Sequence, residues 1–590
     1  MSPFRLFTFL LALFGLQPLA AEYLLYDNIY NPKTGTRLTL SAMSDALPSS
    51  GYFAVRVNAK NGEKIPTSWT FNFTSKDHSW GDSNNLTSTF SLSCAPGRQK
   101  NVEFLVPVVT AIHSESPLEL RLDISARPPL RSAAEEMSSE QTHQWPRILM
   151  SQDLDTRNSG PLDAAVSSGR SGSGSDFAGA FSPQSLTQDW RGYQGYDVLM
   201  LTSQDWKNIP PGAKDAIKKW NRLGGRIIIY QSAPSVTFSS LGIEGEQIDE
   251  QTLQRTWGEI KLLKLPSSSL LNAPNTVKLI KSGELNPRAV VIGEELTSNW
   301  PLQLAFGQRS FNPVFFILIL IAFGIIVGPI NLFVFAKANQ RHRLFITTPI
   351  ISLSASALLL VIIIFQDGFG GKGFRHCLIE IRPEENTAYI EQQQIARTGV
   401  LFKTSFEAKT NAIISPVVLD ESRWTRITPY NNGGESRYRI TEREQNKHKL
   451  SGDWFKSRSE YGHFATSVQA TRGRLELASP NGPPILSSTF DFPLAKIYYI
   501  DKSGGIWQSD KELKRGKKIQ LSPCPRTDFN KWLTSQEADL NANSQTRLKL
   551  IVDRQNHFIA LSEEGPFIDT LSSLSWKQST ALLTGPVVSK

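Results

Sequence analysis

Hydrophobic and polar positions alternate along much of this chain, and two long apolar runs interrupt the alternation. The runs occupy residues 314–335 and 345–365, and neither contains a charged residue. At a rise of about 1.5 Å per residue, a helix of either length crosses a hydrocarbon core of about 30 Å. The pattern therefore predicts two transmembrane helices, with a soluble segment before them and another after them.

The loop between the two runs, residues 336–344, is basic. It contains Lys337, Arg341 and Arg343 and no acidic residue. Short loops rich in Lys and Arg stay on the cytoplasmic side of a membrane. We therefore predict a hairpin that enters and leaves the bilayer from its outer face, so that both flanking segments lie outside.

Small residues recur at one-turn spacing in both spans. Gly324 and Gly328 lie in the first span, and Ser352 and Ser356 lie in the second. Such pairs allow two helices to pack closely, but they are also common on helices that face lipid. The sequence leaves both interpretations open.

The first 21 residues have the pattern of a secretory signal peptide. Arg5 supplies the positive start, residues 6–16 form the apolar core, and small residues precede a cleavage point before Glu22. This apolar core is too short to span a bilayer comfortably. The signal and the basic loop together predict a membrane protein whose N- and C-terminal domains both lie on the outer side of the membrane.

Residues 22–130 have the pattern of a β-sandwich. Residues 51–64, 68–75 and 118–125 alternate hydrophobic with polar or small positions, as half-buried strands do. Turn residues such as Asn61 and Gly62 separate them. Regularly spaced short strands predict two packed antiparallel sheets of the immunoglobulin-like class.

Residues 145–311 follow a different pattern. Residues 198–201 and 226–230 are continuous apolar runs, which are typical of strands buried on both faces. Between them, residues 211–223 carry apolar side chains at helical spacing, with prolines before them and two glycines after them. This order predicts a βαβ unit within an open α/β domain.

The segments SPQSLTQDWRGYQGYDVLMLTSQDW and AIKKWNRLGGRIIIY carry a family resemblance. They resemble the glutamine-amidotransferase-like, flavodoxin-type outer domains of bacterial membrane-anchored proteins of unknown function. The later GPINLFVFAKANQRHRLFITTPIISL is similar to the hairpin that follows such a domain. The resemblance covers about residues 51–373 and implies an architecture rather than an activity, because this subgroup generally lacks the nucleophile. Together with the signal and the basic loop, it implies a bacterial inner-membrane protein with its N- and C-terminal domains on the periplasmic side.

The residues agree with a missing nucleophile. An amidotransferase needs a Cys at a sharp strand-to-helix turn and a His that activates it. No Cys occurs between Cys94 and Cys377, His143 lies in the linker before the domain, and Ser232 lacks the flanking glycines of a serine hydrolase. We therefore expect no catalytic residues and no cofactor.

Polar residues at the ends of the predicted strands are the candidate ligand-binding residues. Asp153, Asp155, Asp205 and Trp206 lie at or just after strand ends, and Arg170 lies in a glycine- and serine-rich loop. Ligands of open α/β sheets bind at that edge. Solvated loop acids and an aromatic lid are the alternative interpretation.

Residues 374–590 contain short strands separated by turns, and they predict a β-rich outer domain. Cys377 and Cys524 lie in this region. In an exported protein they can form a disulfide or remain buried free thiols. No pair of cysteines or histidines has the spacing of metal ligands, so we predict no metal site.

The net charge of +9 does not change this interpretation, because Lys and Arg are interspersed with acids and no long basic run occurs. We expect no nucleic-acid partner. The sequence favours a membrane-anchored envelope protein whose outward-facing domains bind a protein partner, a polymer or a small ligand without catalysis. The alternatives are an accessory subunit of a membrane transporter and a hydrolase of the amidotransferase-like fold with a non-standard site.

Overall fold

The computed structural model describes residues 23–589 except 79–82, 112–117, 129–131, 140–144, 168–175, 297–299, 308–313, 336–340, 410, 418, 420–434, 445–446 and 480–481. The signal peptide predicted for residues 1–21 lies outside the described residues. Arg170 and Lys337 also lie outside them.

Eight strands come before the α/β region. They are β1 (Tyr23–Asn31), β2 (Thr36–Ala42), β3 (Gly51–Lys60), β4 (Thr67–His78), β5 (Ser83–Cys94), β6 (Gln99–Val108), β7 (Leu118–Arg127) and β8 (Ala133–Ser139). Strands β1, β2, β3 and β6 form one antiparallel sheet, and β5, β4, β7 and β8 belong to a second. Side chains of both sheets share a core, in which the rings of Phe71 and Phe104 lie 5.4 Å apart. Two sheets therefore pack against each other in this region.

Up to residue 281, the described residues of the α/β region contain seven strands and four α-helices. They are β9 (Ile148–Ser151), α1 (Gln152–Ser167), β10 (Gly179–Phe181), β11 (Val198–Thr202), α2 (Ser203–Asn208), α3 (Pro211–Arg222), β12 (Arg226–Gln231), β13 (Glu246–Gln247), β14 (Thr252–Arg255), β15 (Gly258–Lys264) and α4 (Ala273–Lys281). The sheet order is β10-β9-β11-β12-β15-β14-β13, and the first five strands are parallel. Numbered along the chain, those five follow the order 2-1-3-4-5, which is the order of a flavodoxin-type sheet.

Helix α3 illustrates how the local sequence forms its element. Pro211 occupies the first turn, where its missing N–H costs no hydrogen bond. Ala213, Ile217 and Trp220 form the buried face, since they recur at helical spacing. Gly224 follows the helix with φ +108°, a conformation that favours glycine.

Helix α5 (Pro301–Phe306) leads into an apolar hairpin. Its first arm is α6 (Val314–Ile325), which continues as a π-helix over Ile326–Phe335, and its second arm is α7 (Leu344–Asp367). The segments Ile317–Phe335 and Arg341–Val361 are long and apolar enough to cross a membrane, judged by length and composition. Pro329 lies inside the π-helical part, where its missing N–H removes one hydrogen bond of a regular α-helix.

A polar contact joins the two arms of the apolar hairpin. Asn331 is fully buried; its Nδ2 donates to Oγ1 of Thr348 over 2.9 Å, and its Oδ1 accepts from Oγ1 of Thr347 over 2.6 Å. By contrast, no described atom comes within 4 Å of where a Cβ would lie at Gly324 or Gly328. In the second arm Ser352 is half-buried and Ser356 is exposed, and close packing of the two arms through their small residues stays a prediction.

Sixteen strands and two α-helices occur among the described residues that follow the apolar hairpin. They are β16 (Gly371–Arg382), β17 (Thr387–Thr398), β18 (Phe406–Lys409), β19 (Ala412–Val417), β20 (Glu435–Glu444), β21 (Lys447–Gly452), β22 (Glu460–Ala470), β23 (Leu475–Ser479), β24 (Ile485–Ser488), β25 (Lys496–Ile500), β26 (Ile506–Ser509), β27 (Lys518–Gln520), β28 (Ser522–Pro523), α8 (Arg526–Glu537), α9 (Ala542–Val552), β29 (His557–Ser562), β30 (Leu574–Pro586) and β31 (Val588–Ser589). Nine of these strands form one sheet in the order β19-β22-β17-β16-β30-β29-β25-β26-β28. A four-stranded sheet has the order β27-β24-β23-β31.

Strands from both sides of the apolar hairpin share one sheet. Its order is β18-β21-β20-β5-β4-β7-β8, so that β20 pairs in parallel with β5. The sequence assigned these strands to separate domains, residues 22–130 and 374–590. The pairing joins the two regions into one body with a common hydrophobic core.

Cys377 and Cys524 are free, buried thiols, so the disulfide considered for them does not form. The side chain of Cys377 points to the core on one face of the nine-stranded sheet, and its Sγ donates to Oε1 of Gln392 over 3.1 Å. Leu378 and Cys524 belong to the core on the other face. Because the sheet separates the two thiols, they cannot meet.

Candidate functional site

Two of the four described candidate ligand residues have a structural role. Asp205 caps helix α2, because its Oδ2 accepts from the backbone N of Thr202 over 3.0 Å while the Thr202 hydroxyl accepts from the N of Asp205. Trp206 is buried, and its Nε1 donates to the carbonyl of Leu241 over 3.0 Å. The aromatic side chain is part of the core rather than a lid.

Asp153 and Asp155 lie in the first turn of α1, directly after β9, as the strand-edge argument predicts. Burial, followed by the nearby carboxylate of Asp45, raises the pKa of Asp155 to about 6. Negative side chains are stabilised at a helix N-terminus, which accounts for both positions. Among the described residues, no group of acids, histidines and cysteines has the arrangement of a metal site.

Away from these candidate residues, a cleft of about 1070 Å³ lies between the α/β region and the nine-stranded sheet. Helix α3 and strand β14 form one wall. The turn between β16 and β17 forms a second wall, and the chain between α9 and β29 forms the third. We call it the arginine cleft.

Four guanidinium groups form the floor of the arginine cleft. They belong to Arg222, Arg255, Arg382 and Arg554, whose side chains are 7%, 5%, 13% and 6% exposed. Buried arginines normally have acidic partners, since an unpaired charge in a dry site is costly. The partners of these four therefore decide what the cleft can bind.

Glu385 is the carboxylate shared by two of the floor arginines. Its Oε1 accepts from Nε of Arg222 over 2.8 Å and lies 3.5 Å from Nη2 of Arg255. Its Oε2 accepts from the hydroxyl of Tyr389 over 2.6 Å. Burial alone would raise the pKa of Glu385, but the Arg222 charge and these hydrogen bonds lower it, so this carboxylate is ionised.

Glu380 is the second acid of the floor and is fully buried. Its Oε1 lies 2.7 Å from Nη2 of Arg382 and 3.7 Å from Nη1 of Arg554. The remaining acids around the cleft lie at its rim. Glu246 and Glu384 are 54% and 52% exposed, and they reach the floor arginines only from the solvent side.

Thr256 lies among the floor arginines in an unfavourable backbone conformation. Its φ is +54°, which is rare for a β-branched residue. Its hydroxyl accepts from Nη1 of Arg222 over 3.2 Å, and its carbonyl accepts from Nη2 of Arg554 over 2.7 Å. Strained residues of this kind concentrate at functional sites, where the surrounding structure holds them in place.

The described lining of the arginine cleft carries charged side chains of both signs. No Ser or Cys is among the described lining residues. His557 lines the cleft, and its Nδ1 lies 2.9 Å from the carbonyl of Gln555. Burial lowers the pKa of His557, which keeps the imidazole neutral at neutral pH.

Sequence reasoning did not find the arginine cleft. Its floor residues come from four separate parts of the chain, around positions 222, 255, 382 and 554. Arg382 ends a strand before Pro383, and Arg554 follows a helix. In the sequence, each of these positions is typical of an exposed surface residue. No local motif could have joined them.

Comparison with known proteins identifies no family. No family model and no curated protein matches the sequence. Among solved structures, the chain is similar to the sporulation control protein Spo0M of Bacillus subtilis, with 15% identity over 18% of this chain and 50% of that one and a TM-score of 0.13.

Two further structural matches are equally distant. A cycloisomaltooligosaccharide glucanotransferase of Paenibacillus shows 12% identity over 36% of this chain and 32% of that one, with a TM-score of 0.17. β-Glucuronidase 2 of Bacteroides uniformis shows 12% identity over 37% of this chain and 26% of that one, with a TM-score of 0.14. The chain therefore spans half or less of the length of each of these three proteins.

Proposed function

We propose that this protein is a membrane-anchored binding protein of the bacterial envelope. The apolar hairpin anchors it, the segments before and after the hairpin form one periplasmic body, and the arginine cleft is its binding site. The proposal assigns no catalytic role to the cleft, whose described lining contains no Ser or Cys.

One observation carries the topology. Strand β5, before the apolar hairpin, pairs with strand β20, after it, over seven residue pairs from Glu435↔Ser83 to Thr441↔Thr89. Two segments of one sheet cannot lie on opposite sides of a bilayer. This supports a chain that enters and leaves the membrane from the same side.

Two features of the sequence support the outer side as the location of the body. Arg341 and Arg343 form an exposed basic turn between the two arms, and such loops stay in the cytoplasm. The signal-peptide pattern of residues 1–21 directs the N-terminal segment outward. The 2-1-3-4-5 strand order supports the resemblance to flavodoxin-type outer domains.

Cysteine labelling in intact cells tests this topology. In a variant without native cysteines, single cysteines replace Lys33 before the hairpin, Lys514 after it and His342 between its arms; all three positions are exposed. A membrane-impermeant maleimide should label positions 33 and 514 in cells with a permeabilised outer membrane. It should label position 342 only after the inner membrane is also opened. Opposite labelling of positions 33 and 514 contradicts the proposal.

Photocrosslinking tests the binding site. A photoreactive amino acid at Gln555, an exposed position of the arginine cleft, should give adducts in living cells. The same amino acid at Lys514, which lies outside the lining, is the control. Equal adduct yields at both positions would remove the support for the cleft as the binding site.

A further inference from the structure

The arginine cleft has more positive charge at its floor than its buried acids neutralise. Four guanidinium groups face two carboxylates, those of Glu380 and Glu385. The excess is two positive charges within a site that is largely removed from water. A free energy cost of this kind is usually offset by a bound group of opposite charge.

The other acids of the cleft offset this positive excess only in part, because they are exposed to solvent. Asp215, Glu246, Glu384 and Asp553 line the same cleft, but their side chains are 63%, 54%, 52% and 71% exposed. Exposed carboxylates are hydrated and screened, so they neutralise the floor only weakly. The cleft therefore presents a cationic floor beneath a rim that carries these exposed acids and the cations Lys218 and Lys219.

The charge of Arg255 is only partly paired. Its Nη1 donates to the carbonyl of Lys218 over 3.3 Å. Its Nε is buried and has no hydrogen-bond partner among the described residues. Its Nη2 lies 3.5 Å from Glu385, which already accepts from Arg222 at shorter distance. Burial, followed by the nearby Arg222 charge, lowers the pKa of Arg255 to about 10, as expected for a cation that lacks a full partner.

We infer that the arginine cleft binds a multivalent oxyanion group of the phosphate type through the guanidinium groups of its floor. Planar guanidinium groups match the geometry of such oxyanions and bind them through paired N–H donors. The cleft volume of about 1070 Å³ leaves room for a larger molecule that carries the oxyanion. This inference rests on the proposed role of the cleft as the binding site.

The same chemistry can come from a soluble phosphate ester or from a phospholipid headgroup. Binding is measured by calorimetry on the full-length protein in neutral detergent, with inorganic phosphate, pyrophosphate and glycerol phosphate as probes. Chloride at matched ionic strength is the control. A second series measures glycerol phosphate binding in nanodiscs of zwitterionic lipid, with and without the anionic lipid phosphatidylglycerol. If the affinity for glycerol phosphate is lower only when phosphatidylglycerol is present, the lipid headgroup competes for the same site.

Three variants test whether the floor arginines, rather than a cation at the rim, bind the phosphate probes. Arg255→Gln and Arg554→Gln should each weaken binding of the phosphate probes about tenfold or more, because each removes charge-assisted hydrogen bonds. Lys219→Gln is the control, since this rim cation is already paired with Asp215 over 2.7 Å, and it should change affinity less than about threefold. Equal effects of Arg255→Gln and Lys219→Gln would overturn the inference.

Stability without ligand distinguishes binding from a purely structural role. If the charge excess serves a ligand, Arg255→Gln should leave the unfolding temperature of the ligand-free protein unchanged or higher. A clear fall would mean that Arg255 serves the fold instead. If no probe binds while Gln555 gives crosslinks, the cleft binds another class of ligand; the proposed function then stands and the oxyanion inference fails.

Discussion

The hydroxyl of Thr87 donates a hydrogen bond to the backbone carbonyl of Tyr438 over 3.5 Å, and these residues lie 351 positions apart in the chain. Thr87 belongs to β5 and Tyr438 to β20, so the contact connects the segments on either side of the apolar hairpin. The hairpin is therefore an insertion into one folded body, and the two segments depend on each other for a complete sheet.

Both ends of the apolar hairpin leave the body beside the same strand. The carbonyl of Gly307 accepts from Nη2 of Arg397 over 2.8 Å, and Gly371 is paired with Thr398, the next residue of β17. We expect that replacing residues 308–367 with a short Gly/Ser linker yields a body that is soluble without detergent and unfolds cooperatively. Gel filtration and thermal unfolding measure this. A chain that ends at Gly307 is the contrasting variant. It should aggregate, since the edge of β5 that pairs with β20 is left without a partner.

Asn331 should stabilise the hairpin more than its small residues do. Asn331→Val removes the hydrogen bonds to Thr347 and Thr348, and we expect a loss of about 1 kcal/mol in the free energy of unfolding in detergent. Gly324→Ala is the control and should be neutral, because the added methyl group meets open space. A larger loss for Gly324→Ala than for Asn331→Val would contradict this arrangement.

A buried ion pair holds α9 against the nine-stranded sheet. Nε of Arg547 lies 3.0 Å from Oε2 of Glu391, and Nη1 of Arg547 donates to the carbonyl of Leu223 over 2.8 Å. Glu391→Ala should lower the free energy of unfolding by about 3–5 kcal/mol, because it leaves a buried charge without its partner. Arg515→Gln, at an exposed pair with Asp491, should have no measurable effect in the same denaturation experiment.

Three buried histidines should make stability depend on pH. Burial lowers the pKa values of His376, His448 and His463 to about 4 from an ordinary value of 6.5. Between pH 6.5 and 4 the unfolded chain binds protons at these sites and the folded chain does not. The free energy of unfolding should therefore decrease as the pH is lowered through this range. The decrease is up to about 1.4 kcal/mol per pH unit for each histidine.

Denaturation at a series of pH values measures that slope. His463→Gln should reduce it by the contribution of one histidine. An unchanged slope in the variant would exclude His463 as a contributor.

Phe369 and Phe402 should contact the bilayer if the hairpin anchors the protein as proposed. Phe369 follows α7 by two residues, its ring stacks on that of Phe402 at 5.4 Å, and Phe402 is 89% exposed. Exposed aromatic rings next to a span favour the interfacial region. A spin label at Phe402→Cys in nanodiscs should be more accessible to oxygen than to a water-soluble nickel complex.

A spin label at Ile248→Cys is the matched control, because Ile248 is an exposed apolar residue in the α/β region. That position should show the opposite preference. The same accessibility at both positions would place Phe402 in water.

Local patterns predicted the individual elements well. The apolar runs at residues 198–201 and 226–230 are strands β11 and β12, and the helical spacing at residues 211–223 is α3. These predictions succeed because side-chain periodicity within a short segment reports which faces are buried. The arginine cleft and the separation of Cys377 from Cys524 could not be predicted, since each depends on which face of a distant strand a residue occupies.

The sequence by itself determined the two long apolar helices, the basic turn between them and most strands, because these follow from the order of neighbouring residues. Only the tertiary structure decided that β20 completes the sheet of β5 and that four distant arginines share one cleft floor. Pairing between remote strands is selected by packing of the whole core, and no short segment encodes it.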